Sequence, residues 1–127
     1  MALQFIDHYT LKAKTADLQK LVRFYEDALG FRDGARPPFD FPGNWLYLGD
    51  KPVVHLVGDD GEEALSGAQR SGKLDHISFR CTDKAGMRAR LDALGLAVSE
   101  QSVPGAPIEQ LFVRDPAGVL IELTFLA

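Results

Sequence analysis

The sequence predicts an α+β fold of two tandem βαβββ modules, and two repeated stretches support this prediction. The letters IDH from Ile6 return as LDH from Leu74, and the residues after each copy alternate similarly in polarity. Both copies also end in similar hairpins, LYLGDKPVVHL from Leu46 and LFVRDPAGVLIEL from Leu111. Between these stretches each copy has a helical pattern followed by short strand patterns. The expected divisions are module 1 at about 1–58, a linker at about 59–72 and module 2 at about 73–127.

Module 1 opens with a predicted strand at 5–12, where polarity alternates. Apolar residues recur at helical spacing over 18–29, which predicts a helix. Thr15 or Asp17 can cap this helix at its start, and Gly30 can end it. The remaining predicted elements are a short strand at 31–33, an irregular loop at 36–44, and a hairpin of strands 45–48 and 53–57.

Module 2 repeats this order after a polar, glycine-rich segment. Its helix is expected to turn Met87, Leu91 and Leu94 inward and to end at Gly95. The predicted elements are a strand at 74–81, a helix at 83–94, a strand at 98–101, a loop at 104–107, and a hairpin of strands 108–113 and 119–125.

The composition is that of an ordinary globular protein, with 46% apolar and 25% charged residues. The net charge of −4 argues against a nucleic-acid partner, because phosphate binding needs a basic face. No apolar run approaches the roughly 18 residues that a membrane helix needs, and the N-terminal residues lack a secretory pattern. We therefore expect a cytoplasmic protein without membrane or nucleic-acid partners. Its one cysteine, Cys81, is expected to be an unreactive buried thiol.

The three histidines and one glutamate occupy equivalent places in the repeat. His8 and His76 lie on the first strands with an offset of 68 residues, and His55 and Glu122 lie on the last strands with an offset of 67. If the first and last strands of each copy are neighbours, a pseudo-twofold axis would bring the four side chains together. Imidazole and carboxylate groups together are typical ligands of a divalent metal. The conjunction predicts a metal site with these four ligands.

Each of these residues also has a structural explanation when it is taken alone. A single histidine is more often a hydrogen-bonded structural residue than a ligand. Glu122 lies in an apolar strand, where an unpaired carboxylate would cost several kcal/mol. A salt bridge to Arg80 or Arg114 could compensate for that cost. The metal interpretation is favoured because four such groups recur at matched positions.

The chain resembles the vicinal oxygen chelate superfamily, which includes glyoxalase I, methylmalonyl-CoA epimerase, extradiol dioxygenases, fosfomycin-resistance transferases and bleomycin-resistance proteins. The resemblance rests on the stretches IDHYTLKAKTADLQKLVRFYEDALGF, LDHISFRCTD and LFVRDPAGVLIELTF. It implies that the two modules form a cup-shaped mixed sheet with helices on the outer face. It also implies a homodimer and one divalent metal ion per site, zinc being favoured over nickel, cobalt, manganese and iron. The family's ligand positions fall on His8, His55, His76 and Glu122.

The resemblance implies a lyase or isomerase like glyoxalase I, which stabilises an enolate or enediolate of a small oxygenated substrate. Glu122 would be its catalytic base, because the equivalent glutamate has that role in glyoxalase I. An Fe(II) extradiol-type dioxygenase is one alternative, although its family uses three protein ligands and His55 would be a fourth. A non-enzymatic drug-binding protein of the bleomycin-resistance type is another, although those proteins lack the ligand set.

Four further residues are candidates for substrate binding. Lys12 and Arg80 share the strand face of the ligands and could hold an anionic group, or they could be solvated charges at the rim. Phe41 and Trp45 could form an aromatic wall over the metal together with Phe39 and Tyr47, or these rings could pack in the core or at a dimer interface.

Overall fold

The computed structural model describes residues 4–61 and 76–126, which form two compact units. Unit 1 is residues 4–61 and unit 2 is residues 76–126. Each unit contains a four-stranded mixed sheet and one α-helix, in the order βαβββ. The predicted tandem βαβββ architecture is therefore confirmed. None of the helices in these two ranges is long and apolar enough to cross a membrane.

Unit 1 begins with strand β1 and a 3₁₀ turn, continues with helix α1, and ends in strands β2, β3 and β4. The bounds are β1 Tyr9–Ala13, the 3₁₀ turn Thr15–Asp17, α1 Leu18–Asp27, β2 Arg32–Gly34, β3 Gly43–Leu48 and β4 Lys51–Gly58. The sheet order is β1-β4-β3-β2, with β1 parallel to β4 and the other pairs antiparallel.

Unit 2 repeats this arrangement with the sheet order β5-β8-β7-β6. The bounds are β5 His76–Cys81, α2 Lys84–Ala93, β6 Ser99–Ser102, β7 Ile108–Arg114 and β8 Leu120–Leu126. Strand β5 is parallel to β8, as β1 is to β4. The predicted strand start at Leu74 and most of the predicted linker lie outside the described residues.

Alternation along the strands gives each sheet two different faces. In β8 the buried residues Ile121, Leu123 and Phe125 alternate with Glu122 and Thr124 on the opposite face. The apolar faces form the cores together with one side of each helix, where Leu21, Tyr25 and Leu91 are buried. We call the opposite side of each sheet its open face, and it carries every predicted metal ligand that lies on a strand.

Strand β1 starts four residues later than predicted, so that His8 immediately precedes it. In the parallel ladder Tyr9 is paired with Val54, and continuing that register backwards would bring the chain alongside Pro52. That register would place His8 beside Val53 and Asp7 beside Pro52, and proline has no backbone N–H to donate to a ladder.

The predicted helix ends at Gly30 and Gly95 are confirmed, because both glycines have a positive φ, of 77° and 72°. Two other predictions about the helices were wrong. Asp17 makes no side-chain cap on α1, and Thr15 instead uses its hydroxyl and backbone N–H to bind Asp60 at 2.9 Å. Leu94 is 44% exposed, because it follows the last residue of α2.

Candidate metal centre

The strand registers place His55 and Glu122 at equivalent positions in the two units. Thr10 is paired with His55 across β1 and β4, and Ser78 is paired with Glu122 across β5 and β8. Thr10 and Ser78 each lie two residues after a predicted histidine ligand. The first and last strands of each copy are therefore neighbours, as the metal prediction required. Each unit holds one pair of predicted ligands, His8 with His55 and His76 with Glu122.

The pair in unit 2 consists of His76 and a firmly held Glu122. His76 Nε2 is 3.8 Å from Glu122 Oε1, and the Glu122 side chain is only 12% exposed. Gln110 Nε2 donates to Oε1 at 2.8 Å, and the Thr124 hydroxyl donates to Oε2 at 3.1 Å. Ser78 Oγ lies 2.9 Å from the same Thr124 hydroxyl. Because that hydroxyl donates its proton to the carboxylate, Ser78 is the donor to Thr124.

The geometry of this pair fits two donors to one metal ion. A divalent metal binds imidazole nitrogen and carboxylate oxygen at about 2.0–2.2 Å, so two adjacent donors are separated by roughly 3–3.5 Å. The separation of 3.8 Å between His76 Nε2 and Glu122 Oε1 is close to that value. A small rotation of the half-exposed His76 ring would bring the two atoms into range.

The pair in unit 1 is arranged as an aromatic stack. The rings of His8 and His55 have centroids 3.7 Å apart and an interplanar angle of 13°. Trp45 stacks on the other face of His55, at 4.1 Å and 11°. His8 Nδ1 donates to Asp7 Oδ2 at 2.7 Å, and His55 Nε2 donates to the carbonyl of Pro52 at 2.9 Å.

These hydrogen bonds leave one ring nitrogen of each histidine as the candidate ligand, Nε2 of His8 and Nδ1 of His55. Burial lowers the pKa of His55, and nearby His8 acts in the same direction, so the neutral ring that a metal requires is favoured. The hydrogen bond from His8 lowers the pKa of Asp7. The nitrogen lone pairs lie in the two nearly parallel ring planes and do not converge. Sharing one ion would therefore require one ring to leave the stack.

No group of three or more His, Cys, Asp or Glu side chains is gathered closely enough for a metal within residues 4–61 or within residues 76–126. Each unit alone thus supplies two of the four predicted ligands. The donor types suit a divalent ion such as zinc, and a full four-ligand site would need both pairs.

The predicted substrate residues lie on or beside the open faces. Lys12 and Arg80 occupy equivalent exposed positions, next to Val57 and Thr124 in their ladders. Lys12 Nζ also approaches Asp59 Oδ2 at 4.0 Å, which partly neutralises it. Both side chains are exposed, so an anion can reach either of them.

The two predicted aromatic substrate residues belong to one extended cluster. Trp45 contacts His55 as described and lies 6.4 Å from Phe39, whose ring stacks on Phe41 at 4.9 Å. The Arg36 guanidinium lies over both phenylalanine rings, at 5.1 and 5.2 Å. Phe39 and Phe41 remain 43% and 38% exposed. The predicted irregular loop is thus a compact aromatic surface beside the histidine pair.

Sequence reasoning missed Gln110, which holds the Glu122 carboxylate. Its position gives a usable signal, since it lies two residues before Phe112, the ladder partner of Glu122, and so shares the open face. The hydrogen bond from His55 to the Pro52 carbonyl could not be predicted in this way. Every residue has a backbone carbonyl, and the sequence does not show which of them accepts a side-chain hydrogen bond.

Cys81 is expected to react slowly with thiol reagents in the folded protein. The side chain points to the core side of β5, and burial raises the pKa of its thiol. Since the thiolate is the nucleophile, less of it is present at neutral pH than in an unfolded chain. The rate of labelling by 5,5′-dithiobis(2-nitrobenzoate) at pH 8 should be severalfold lower than in urea and should rise as the pH increases above 9. Equal rates in the folded and unfolded protein would contradict this expectation.

The sequence matches a known protein family over most of its length. The family model described as Glyoxalase/Bleomycin resistance protein/Dioxygenase superfamily matches residues 5–123. The chain is 29% identical over 127 residues to "Glyoxylase I 4" from Arabidopsis thaliana, covering 95% of this chain and 70% of that protein.

Solved structures support the same fold. A lactoylglutathione lyase from Agrobacterium tumefaciens superposes with a TM-score of 0.69 at 23% identity, covering 98% of this chain and 96% of that one. An antibiotic binding protein from Streptomyces superposes with a TM-score of 0.68 at 26% identity, covering 100% and 99%. The chain belongs to the glyoxalase/bleomycin resistance protein/dioxygenase superfamily.

Proposed function

We propose that the protein is a divalent-metal-dependent lyase or isomerase of the glyoxalase I type. The observation that carries this proposal is the pair of His76 and Glu122 on the open face of unit 2, with both carboxylate oxygens of Glu122 held by hydrogen-bond donors. The likeness to an Arabidopsis glyoxalase I protein supports the same reaction class. His8 and His55 would complete the ligand set. A homodimer and a cytoplasmic location stay predictions.

The bound metal would supply charge stabilisation for an oxygen next to the reacting carbon. The protein's own contribution is the position of Glu122, whose carboxylate would accept a proton from a carbon adjacent to a carbonyl. Gln110 and Thr124 fix the two oxygens, so the base does not have to be ordered when substrate binds. Lys12 and Arg80 could hold an anionic part of the substrate at the rim.

The hydroxyls beside Glu122 offer a route by which its proton could return to solvent. Thr124 contacts Oε2, and Ser78, which is exposed, contacts Thr124. A protonated Glu122 could pass its proton to Thr124 while Thr124 gives its own to Ser78 and Ser78 gives its own to water. The base would then be restored for the next turnover.

Elemental analysis of the purified protein tests the metal requirement. Protein expressed with added zinc should contain about one divalent ion per site, and His76→Ala should lower its affinity for zinc at least tenfold in competition with a chelator, since even residues that support a ligand change affinity 10–100-fold. Glu109→Gln is the matched control, because Glu109 lies on the other face of the sheet and pairs with Lys84 Nζ at 2.9 Å. A wild-type protein without stoichiometric metal would contradict the proposal.

A second candidate function is non-enzymatic binding of a planar aromatic compound. The aromatic cluster beside His55 and the likeness to an antibiotic binding protein favour it. In that case metal-free protein should bind such compounds, and Phe41→Ala should weaken binding. Quenching of Trp45, the chain's one tryptophan, would report the contact. If the purified protein contains no metal and binds such compounds in this way, the binding function replaces the first proposal.

A further inference from the structure

We propose that a cavity of unit 2, beside Glu122, binds an organic acid with an aromatic or branched apolar body. The cavity has a volume of about 600 Å³, within the usual range for small-molecule sites. Its role as the pocket for the non-reacting end of the substrate rests on the function proposed above. The binding itself needs neither the metal nor proton transfer.

The cavity adjoins Glu122 because of the strand register. Phe112 is paired with Glu122 across β7 and β8, and Ser99 is paired with Phe112 across β6 and β7. Phe112 and Ser99 both line the cavity, together with Leu120, which precedes Glu122 by two residues on the same face. The floor of the cavity is therefore the open face itself, starting one strand away from the carboxylate.

The lining indicates an apolar ligand body. Residues 96–98, just before β6, add Leu96, Ala97 and Val98 to the apolar surface of Phe112 and Leu120. A ring or a branched chain placed here would be removed from water over most of its surface, which favours its binding. A very small polar substrate would leave most of this surface unused.

The polar part of the lining indicates an acid. Arg114 lines the cavity, and its Nη1 donates to the carbonyl of Gly118 at 2.9 Å, which fixes the guanidinium. That contact uses one of five N–H donors, and the others can bind a carboxylate. The amide of Gln101 is a second polar group, and none of the described residues that line the cavity is acidic.

The equivalent place in unit 1 is arranged differently. Trp45 occupies the position of Phe112, since it is paired with His55 as Phe112 is with Glu122. The Trp45 ring is stacked on His55 and tilted against Phe39. In unit 1, other aromatic rings therefore pack against Trp45. In unit 2, Phe112 instead borders a cavity large enough for a small-molecule ligand.

Nuclear magnetic resonance with 3-phenylpropionate as the probe tests the proposal. The titration is made with a chelator present, so that a failure of the metal proposal does not affect it. The methyl signals of Leu96, Val98 and Leu120 should shift and saturate. Propionate should not saturate them, and 3-phenylpropanol should bind about fivefold more weakly, as expected when an exposed ion pair worth up to about 1 kcal/mol is lost.

Three variants complete the test. Ala97→Trp should fill the cavity and abolish the saturable shifts, and Arg114→Gln should weaken acid binding about fivefold without affecting the alcohol. Ala93→Trp is the matched control at an exposed position of α2 and should bind as the wild type does. The proposal would be overturned if the methyl shifts did not saturate with 3-phenylpropionate, or if the alcohol and the acid bound equally well. It would also be overturned if the shifted signals belonged only to the Phe39–Phe41 cluster. The Arg114→Gln result stands even if Ala97→Trp fails to fold.

Discussion

Glu122→Gln is expected to lower the proposed glyoxalase I-type turnover by about 10²–10⁴-fold, the range for loss of a positioned general base. The amide keeps the size of the side chain, its oxygen can accept from Gln110 in place of the contact now at 2.8 Å, and its NH2 can donate to the Thr124 hydroxyl in place of the contact now at 3.1 Å. It cannot accept the substrate proton at neutral pH. The fold and the apolar cavity should therefore persist while turnover is lost.

The hemithioacetal that methylglyoxal forms with glutathione is a suitable first substrate, because it carries a C–H bond next to a carbonyl, as the proposed function requires. Moving that proton to the neighbouring carbonyl carbon gives the thioester lactoylglutathione, so turnover can be followed by the appearance of the thioester. Glu109→Gln is the control, because it makes the same substitution on the opposite face of the same sheet. Wild-type protein that loads metal but forms no thioester from the hemithioacetal would contradict a glyoxalase-type activity. A Glu122→Gln variant with undiminished turnover would contradict the role of Glu122.

The part of the candidate site that could be predicted is the part fixed by backbone register. His55 and Glu122 are 67 residues apart, and His8 and His76 are 68 residues apart. Equivalent positions in a repeat have equivalent strand partners, so each histidine on a first strand has a ligand-type residue on the neighbouring last strand. Alternation then assigns each side chain to one sheet face. The pairing of ligand-type residues within each unit thus followed from position alone.

The arrangement of the rings could not be predicted in the same way. Whether His8 and His55 converge on an ion or stack depends on side-chain torsions, which respond to the Pro52 carbonyl, the Asp7 carboxylate and the Trp45 ring together. Stacking and metal ligation both favour a neutral His55, so residue types and spacing do not distinguish them. Sequence periodicity carries no information about ring planes.

Tyr25→Ala is expected to destabilise unit 1 by about 3–5 kcal/mol, the usual cost of removing a buried aromatic side chain. Tyr25 is fully buried and makes edge-to-face contacts with Phe24 and Phe31, each at a centroid distance of 5.4 Å. Its hydroxyl is also 3.1 Å from that of Tyr9, the first residue of β1. Tyr25→Phe keeps the ring contacts and removes the hydrogen bond with Tyr9, so it should cost only about 1 kcal/mol.

Urea denaturation followed by Trp45 emission measures this effect where it occurs. Trp45 is the one tryptophan of the chain and lies in β3, within the unit whose core Tyr25 fills. The hydrogen-bonded Tyr9 directly follows His8, so loss of the aromatic ring should also loosen the start of β1 and weaken the stack of His8 on His55. An Ala variant as stable as the Phe variant would contradict this expectation and would show that the ring contacts contribute little to stability.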